Sequence, residues 1–259
     1  MRIVSLCPSL TELVFDLGRG SDLVGRTKFC VHPADRVESV EKVGGTKNPK
    51  VHRIIELKPD LVLLNSEENR REDWEALQEA NIACHISFPR TALETADMLR
   101  SIATAVYADA EGERIARDIE TRHARVVESA RTRPVVRFAY LIWREPLMTL
   151  NADTFVSALL TDAGGENVFA DQSVRYPAIT DTALRSADPD VVLLSTEPFP
   201  FKPTYADEIA SATGLPRDRF EIVDGELLSW HGSRTPAGID YADRIISFRA
   251  SQVRQVPRD

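Results

Sequence analysis

Residues 109–133 restrict the folds open to this chain more than any other segment. Apolar residues recur there at helical spacing, with Ile115, Ile119 and Val126 on one face. No proline interrupts the pattern before Pro134, so the segment predicts one continuous helix about 35 Å long. A rod of that length divides the sequence into two halves.

The two halves contain similar segments. LKPDLVLLN at residues 57–65 resembles ADPDVVLLS at 187–195, and LVFDLGRGSDLVG at 13–25 resembles LLTDAGGENVF at 159–169. Predicted strands and helices alternate in both halves, which is typical of parallel sheets. The unbroken apolar runs LVLL and VVLL suit strands that are covered on both faces. The repetition indicates two related lobes.

We therefore predict an α/β fold in which two Rossmann-like lobes with mostly parallel sheets are joined by one long backbone helix. The predicted boundaries are residues 1–108 for the N-terminal lobe, 109–133 for the helix and 134–259 for the C-terminal lobe. Near the start of the first lobe, Ser9 and Glu12 have the spacing of a helical capping box. The cleft between the lobes is the expected binding site.

Composition and motifs argue against several classes of protein. The net charge of −8 disfavours nucleic-acid binding, which requires a concentrated basic surface. The chain contains no apolar run of about 18 residues, so we predict no transmembrane helix. The three cysteines are an odd number and lack the spacing of a disulfide framework, so we expect them to be reduced thiols. Because the chain has no G-x-S-x-G elbow, no dinucleotide fingerprint and no well-placed carboxylate pair, we do not expect an enzyme.

The first residues bear on where the protein resides. Met1 and Arg2 lead directly into an apolar core strand, without the basic, apolar and small-residue regions of a signal peptide. As the sequence stands, we expect a cytoplasmic protein. If a leader was removed, we expect a periplasmic or membrane-tethered one.

Candidate binding residues follow the predicted strands, because ligands of open α/β sheets bind beyond the carboxyl ends of the strands. Aromatic rings there offer rigid contact area, and arginines bind carboxylate or phosphate with paired donors. These side chains suit a flat, partly anionic ligand. Two alternatives stay open: the tryptophans close the core, or the arginines form surface ion pairs. The candidates are Lys28, Phe29, His32, Lys47, Asn48, Trp143, Arg144, Arg175, Tyr176, Phe199, Trp230, His231, Ser233 and Arg234.

The loop DGELLSWHGSR holds several of these candidates. Gly232 gives the backbone freedom for Trp230 and His231 to project from the loop. Arg234 adds a positive charge where Ser233 and the N–H groups of the next helix can bind an anion. We expect Trp230 to contact the ligand, so that its replacement by alanine weakens binding and leaves the fold intact.

The sequence also offers a metal site as an alternative. Cys30 and His32 are two residues apart, and His231 could join them as a third ligand. Zinc takes three or four such ligands, but a C-x-H pair alone is a weak motif. The competing interpretation is a polar loop around a buried thiol.

Longer segments resemble a known family, the class III periplasmic binding proteins for vitamin B12, siderophores and haem. RIVSLCPSLTELVFDLG resembles the family's opening strand, turn and first helix, and RIIELKPDLVLLN resembles its "ALKPDLVI" segment. GGENVFAD, RYPAIT and ADPDVVLL resemble its second-lobe signature. The chain is most similar to the B12-binding branch. The TKFCVHP loop departs from that branch and looks more like leaderless relatives called helical-backbone metal receptors.

The resemblance implies a non-catalytic substrate-binding protein that holds a corrinoid, tetrapyrrole or metal-chelate ligand in the inter-lobe cleft. It also implies ABC-type uptake through a permease. No cofactor is required beyond a bound cobalamin-like or metal-chelate ligand, and the protein is expected to be a monomer without nucleic-acid partners. The alternative is a direct metal-ion receptor or a metal-dependent enzyme that uses Cys30, His32 and His231.

Overall fold

The computed structural model describes residues 1–253, which form eight strands and eleven α-helices. The strands are β1 (Ile3–Ser5), β2 (Leu23–Arg26), β3 (Leu61–Asn65), β4 (Cys84–Ser87), β5 (Val136–Leu141), β6 (Gly165–Asn167), β7 (Val191–Ser195) and β8 (Phe220–Val223). The helices are α1 (Pro8–Asp16), α2 (Ala34–Val37), α3 (Val51–Glu56), α4 (Arg71–Glu79), α5 (Ala92–Ala105), α6 (Asp109–Ala130), α7 (Phe155–Asp162), α8 (Asp181–Ala187), α9 (Pro203–Thr213), α10 (Gly225–Ser229) and α11 (Thr235–Val253).

The strands form two four-stranded sheets with the same topology. The first has the order β2-β1-β3-β4 and the second the order β6-β5-β7-β8, and every described pairing is parallel. The predicted α/β fold with parallel sheets is confirmed. None of the described helices combines the length and apolar character that crossing a membrane requires.

The described chain divides into two compact units. The first contains Met1–Pro89, Glu94–Asp118 and His231–Arg234, and the second contains the remaining residues. Helix α6 divides between them after Asp118, and on it Ile115, Ile119 and Val126 are buried as their spacing predicts. The sequence-based domain boundaries, which reach beyond the described residues to 259, stay a prediction.

The central strand β3 of the first unit is held by a hydrogen-bonded clip at its start. The Asp60 carboxylate accepts from the Arg2 main-chain N–H at 2.7 Å, and Asp60 N donates to the Arg2 carbonyl at 2.8 Å. The Arg2 guanidinium donates to the Leu57 carbonyl at 2.7 and 2.9 Å. All five residues of β3 are buried, so its polar main-chain groups depend on such pairing.

The second unit repeats this clip around β7. The Asp190 carboxylate accepts from Arg137 N at 2.8 Å, and the Arg137 guanidinium donates to the Ala187 and Asp188 carbonyls, both at 2.7 Å. Lys58 and Asp188, the residues before the two prolines, share a left-handed backbone with φ of 47° and 41°. The segments LKPDLVLLN and ADPDVVLLS are therefore structural equivalents. We call the two arrangements the Arg–Asp clips.

Helix α1 corrects one local prediction. The helix begins at Pro8 with Cys7 as its N-cap, and no side chain caps it. Proline fits the first helical position because its fixed φ is already helical and it has no N–H to satisfy. Ser9 therefore lies inside the helix, and Glu12 pairs with Arg234 instead of closing a capping box.

Candidate ligand-binding surfaces

Two asparagines organise the carboxyl edge of the first sheet. Asn65, the last residue of β3, accepts at its Oδ1 from Glu67 N at 2.9 Å and from Glu68 N at 3.2 Å. Asn69 accepts from Asn65 N at 2.9 Å and donates from Nδ2 to the Leu6 and Thr46 carbonyls, both at 3.0 Å. The pair joins the segments that follow β1, β2 and β3. Asn65 was not among the predicted site residues, although three of its partners lie within four residues of it.

His231 is held at this edge in its neutral form. Its Nε2 lies 3.2 Å from Asn65 Nδ2. The two N–H groups on the other side of the Asn65 amide fix which end carries the oxygen, so Nδ2 is the donor and Nε2 accepts. Burial lowers the pKa of His231 from 6.5 to about 4. His231 is therefore an uncharged part of the first unit at neutral pH.

The 27–33 loop, residues 27–33 after β2, combines buried and exposed side chains. Cys30 is fully buried, with its Sγ 3.0 Å from Thr11 Oγ1 and 3.1 Å from Thr27 Oγ1. Phe29 and Val31 on either side of it are 50% and 47% exposed. The loop therefore presents two apolar side chains to solvent from a backbone anchored by a buried thiol.

Arg26 anchors the same loop from beneath and was not among the predicted site residues. It is 2% exposed, and its Nε donates to the Val37 carbonyl at 2.9 Å. Its Nη1 donates to the Cys30 carbonyl at 2.9 Å and to the Thr27 carbonyl at 3.2 Å. No sequence motif distinguishes this arginine from a surface one, because its acceptors are main-chain oxygens.

The other predicted residues of the first unit have different environments. Lys28 lies over the Phe29 ring at 4.9 Å, and His32 is partly exposed. Lys47 donates to the Glu67 carbonyl, and a Cβ on Gly45 would lie 2.4 Å from Asn48 Oδ1 and 3.3 Å from the Phe29 ring. Ser233 has a buried hydroxyl without a hydrogen-bond partner among the described residues. Arg234 is bonded to Glu12, so its charge is already compensated.

The described residues give no support to the metal alternative. No three His, Cys, Asp or Glu side chains in residues 1–253 lie close enough together to hold a metal ion. Burial raises the pKa of the Cys30 thiol, which keeps it protonated at neutral pH, whereas metals bind the thiolate. His231 Nε2 already accepts from Asn65. A site built on Cys30, His32 and His231 stays an untested prediction.

The second unit brings Trp143, Arg144 and Phe199 together with Tyr205, and we call these four residues the aromatic surface. Trp143 packs edge-on against Phe199, with ring centroids 5.5 Å apart, and Phe199 lies 5.5 Å from Tyr205. The Arg144 guanidinium lies 4.6 Å above the Tyr205 ring and pairs with Glu208. Trp143 is 41% exposed, so one side of this rigid cluster is open.

Arg175 and Tyr176 lie on a segment that is tied to Trp143 through the backbone. Met148 forms isolated bridges with both Trp143 and Ala178. The Arg175 side chain lies 3.7 Å from Asp153 and 5.8 Å from the centre of the Tyr176 ring. Arg144 and Arg175 therefore each have a carboxylate within 4 Å, which favours the ion-pair interpretation over a shared anion site.

Trp230 differs from the expectation of an exposed anchor. Only 7% of it is exposed, and its indole N–H donates to Glu197 Oε2 at 2.7 Å. Instead of a loose loop, Gly225–Ser229 forms α10, with Asp224 capping it through Leu227 N at 3.1 Å. The short helix turns Trp230 into the second unit, where little of the ring remains to contact a ligand.

A cavity of about 490 Å³ lies at the carboxyl ends of β7 and β8. It is lined by Thr196, Glu197, Ile222, Val223, Asp224 and Glu226. Gly225 beside it is required by close packing, since a Cβ there would lie 2.5 Å from Ser195 Oγ and 2.7 Å from Glu197 N. Its lining residue Glu197 precedes Phe199 by two positions in the sequence. Three of its lining residues, Glu197, Asp224 and Glu226, are acidic.

Comparisons with known proteins cover most of the chain. The model of a family described as "Periplasmic binding protein" matches residues 3–216. The vitamin B12-binding protein of Vibrio parahaemolyticus is 27% identical over 194 residues, which are 75% of this chain and 70% of that protein. The vitamin B12-binding protein of Vibrio cholerae is 23% identical over 247 residues, which are 95% and 88% of the two chains.

Solved structures share the fold. The periplasmic vitamin B12-binding protein of Vibrio cholerae superimposes with a TM-score of 0.83 at 22% identity, over 96% of this chain and 97% of that one. A periplasmic haem-binding protein from a Roseiflexus species, in its apo form, gives 0.82 at 24% identity, over 96% and 98%. Proteins with two different ligands thus share this architecture.

Proposed function

This chain belongs to the periplasmic binding protein family, and on that premise we propose that it is a non-catalytic binding protein for a corrinoid or another tetrapyrrole. The family is one of binding proteins. The aromatic surface is the observation that carries the proposal. An exposed tryptophan backed by packed rings offers a flat, rigid contact to a large macrocycle.

Contact through ring faces fits the electrostatics better than contact through ion pairs. Arg144 lies on Tyr205 and bonds with Glu208, and Arg175 lies beside Asp153. A new anionic ligand would have to compete with these carboxylates. We therefore propose that apolar area supplies most of the affinity and that the arginines stiffen the rings around them.

Membership of the family also supports a role in uptake. We propose that the protein delivers its ligand to an ABC-type permease, acting outside the cytoplasm as the periplasmic relatives of known structure do. The expected monomer and the expected position of the ligand between the lobes stay predictions.

A ligand screen tests the proposed function. We would titrate the purified chain with cyanocobalamin, dicyanocobinamide, haem and a ferric siderophore, using calorimetry and native mass spectrometry. Binding of a macrocycle at micromolar concentration or below would support the proposal. Dissociation constants weaker than about 100 μM for all four, roughly −5.5 kcal/mol, would refute it.

Replacement of the exposed tryptophan tests which surface binds. We expect Trp143→Ala to weaken binding of the macrocycle by on the order of 2 kcal/mol, because an aromatic anchor loses its contact area. The melting temperature should stay nearly unchanged, since 41% of the side chain is already in solvent. Calorimetry and thermal melting on the same preparation give both values.

Phe248 on α11 supplies the matched control. It is an exposed aromatic residue of the same unit, 56% exposed, and lies outside the aromatic surface. Phe248→Ala should leave the affinity as it is. Equal loss of affinity in both variants would mean that the aromatic surface is not the contact.

A further inference from the structure

Arg144 is the charged member of the aromatic surface, and the end of its guanidinium already faces two carboxylates of this chain. Its Nη2 pairs with Glu208 Oε2, and its Nη1 lies 3.6 Å from Glu145 Oε1. A ligand carboxylate binds an arginine most strongly through two parallel N–H bonds from the planar fork. Because both terminal nitrogens already face a carboxylate, the end of the guanidinium is not open to an anionic ligand.

Helix α9 places Glu208 beside this arginine. Tyr205 and Glu208 are three residues apart on α9, a spacing that puts two side chains on the same face of a helix. The Arg144 guanidinium meets both, because it lies 4.6 Å above the Tyr205 ring while it pairs with Glu208. The Glu208 side chain is 52% exposed, so its charge is also presented to solvent. Helix α9 thus brings an aromatic ring and a negative charge to the same surface.

The charges in contact with Arg144 outweigh its own. Arg144 carries one positive charge, and Glu145 and Glu208 carry one negative charge each. The chain as a whole has a net charge of −8, which repels anions at longer range. Trp143, the residue before Arg144, offers exposed contact area that carries no charge. A macrocycle with an uncharged rim can therefore cover the rings, whereas one with carboxylates on its rim must bring like charges close together.

We propose that Glu208 is a specificity-determining residue, which makes the aromatic surface favour a macrocycle with amides on its rim over one with carboxylates. The proposal rests on the proposed function and names the ligand class within it, an amide-bearing corrinoid in preference to a porphyrin with propionate side chains. Glu208 acts in two ways. It engages a nitrogen of Arg144 that a ligand carboxylate would use, and it adds a negative charge beside the rings.

Two corrinoids that differ in charge test the proposal. Dicyanocobinamide carries amides around its corrin ring, and dicyanocobyrinic acid carries carboxylates on the same ring. We would titrate each into the parent chain by calorimetry, at neutral pH and low salt, and compare the two dissociation constants. We expect the parent chain to bind dicyanocobinamide about tenfold more tightly than dicyanocobyrinic acid. Added salt should reduce this preference, because salt screens the repulsion between charges.

Two neighbouring residues of α9 give a variant and its matched control. Glu208→Gln removes the charge and keeps the length of the side chain, so the preference for dicyanocobinamide should fall about fivefold. That factor corresponds to about 1 kcal/mol, the upper range for an exposed ion pair. Asp207→Asn removes the same charge from the preceding residue, whose partner is Arg217, and should keep the parental preference. An equal change in both variants would indicate a general effect of net charge and overturn the role of Glu208.

The outcomes separate this inference from the proposed function. Trp143→Ala should weaken binding of both corrinoids by a similar factor, because it removes contact area and no charge. If the parent chain binds the two corrinoids equally well, prefers the acid, or binds haem but neither corrinoid, the function stands and this inference is wrong. An unchanged preference in Glu208→Gln would also overturn it. If the parent chain binds no macrocycle at all, both the function and this inference are refuted.

Discussion

Replacing Trp230 by alanine should cost about 4 kcal/mol of the free energy of unfolding, the size expected for a large aromatic residue removed from a core. The indole is 93% shielded, since only 7% is exposed, and its N–H satisfies Glu197 at 2.7 Å. The variant would leave both a cavity and a carboxylate without its donor. Urea unfolding followed by circular dichroism measures the loss.

Two comparisons make this expectation specific. Trp230→Phe keeps one aromatic ring but loses the N–H donor and part of the ring volume, so it should cost less than Trp230→Ala, roughly 1–2 kcal/mol. Trp143→Ala deletes the same side chain from a position that is 41% exposed and should cost far less than Trp230→Ala. Similar losses at Trp143 and Trp230 would contradict the burial described for the second unit.

Acidification should destabilise the protein through His231. Its pKa falls from 6.5 in the unfolded chain to about 4 in the folded one because burial disfavours the charged ring. Between these values the unfolded chain binds the proton and the folded chain does not, so stability is complete above pH 6.5 and is lost as pH falls toward 4. The loss is roughly 3 kcal/mol at the low end.

Comparing the pH dependence of the free energy of unfolding between the parent chain and a His231 variant isolates the contribution of His231. His231→Gln keeps an acceptor for Asn65 and cannot be protonated, so its stability should change less between pH 7.5 and 4.5 than that of the parent. Burial raises the pKa of Glu68, which acts in the opposite direction and is common to both chains. His52→Gln, at an exposed position on α3, should keep the parental pH dependence. Equal slopes in the parent and His231→Gln would contradict the neutral buried histidine.

The sequence predicted the elements whose pattern repeats over many residues. The stripe of Ile115, Ile119 and Val126 predicted α6, and the run LVLL predicted β3, because each pattern depends on residues close in sequence. Some elements of a few residues were missed, as with β6 and α10, although the opening strand β1 was predicted. In such short segments periodicity cannot be measured, and tertiary contacts decide the conformation.

The site residues were harder to predict than the fold, and the reason is chain distance. Trp230 was expected to project from its loop toward a ligand because Gly232 gives the backbone freedom, but Glu197, 33 residues earlier, accepts its N–H. Asn65 meets His231 across 166 residues, and Glu12 meets Arg234 across 222. No local motif encodes such pairings. Trp143 and Phe199 were predicted as separate loop residues, and only the folded chain brings their rings together.

Forming each Arg–Asp clip closes a loop of chain during folding, and the length of that loop sets its entropic cost. The bond from the arginine main-chain N–H to the aspartate carboxylate joins residues 58 positions apart in the first clip and 53 apart in the second. Loop-closure entropy grows only with the logarithm of loop length, so the two closures differ by about 0.1 kcal/mol. Closing the clips therefore gives neither unit an entropic advantage over the other during folding.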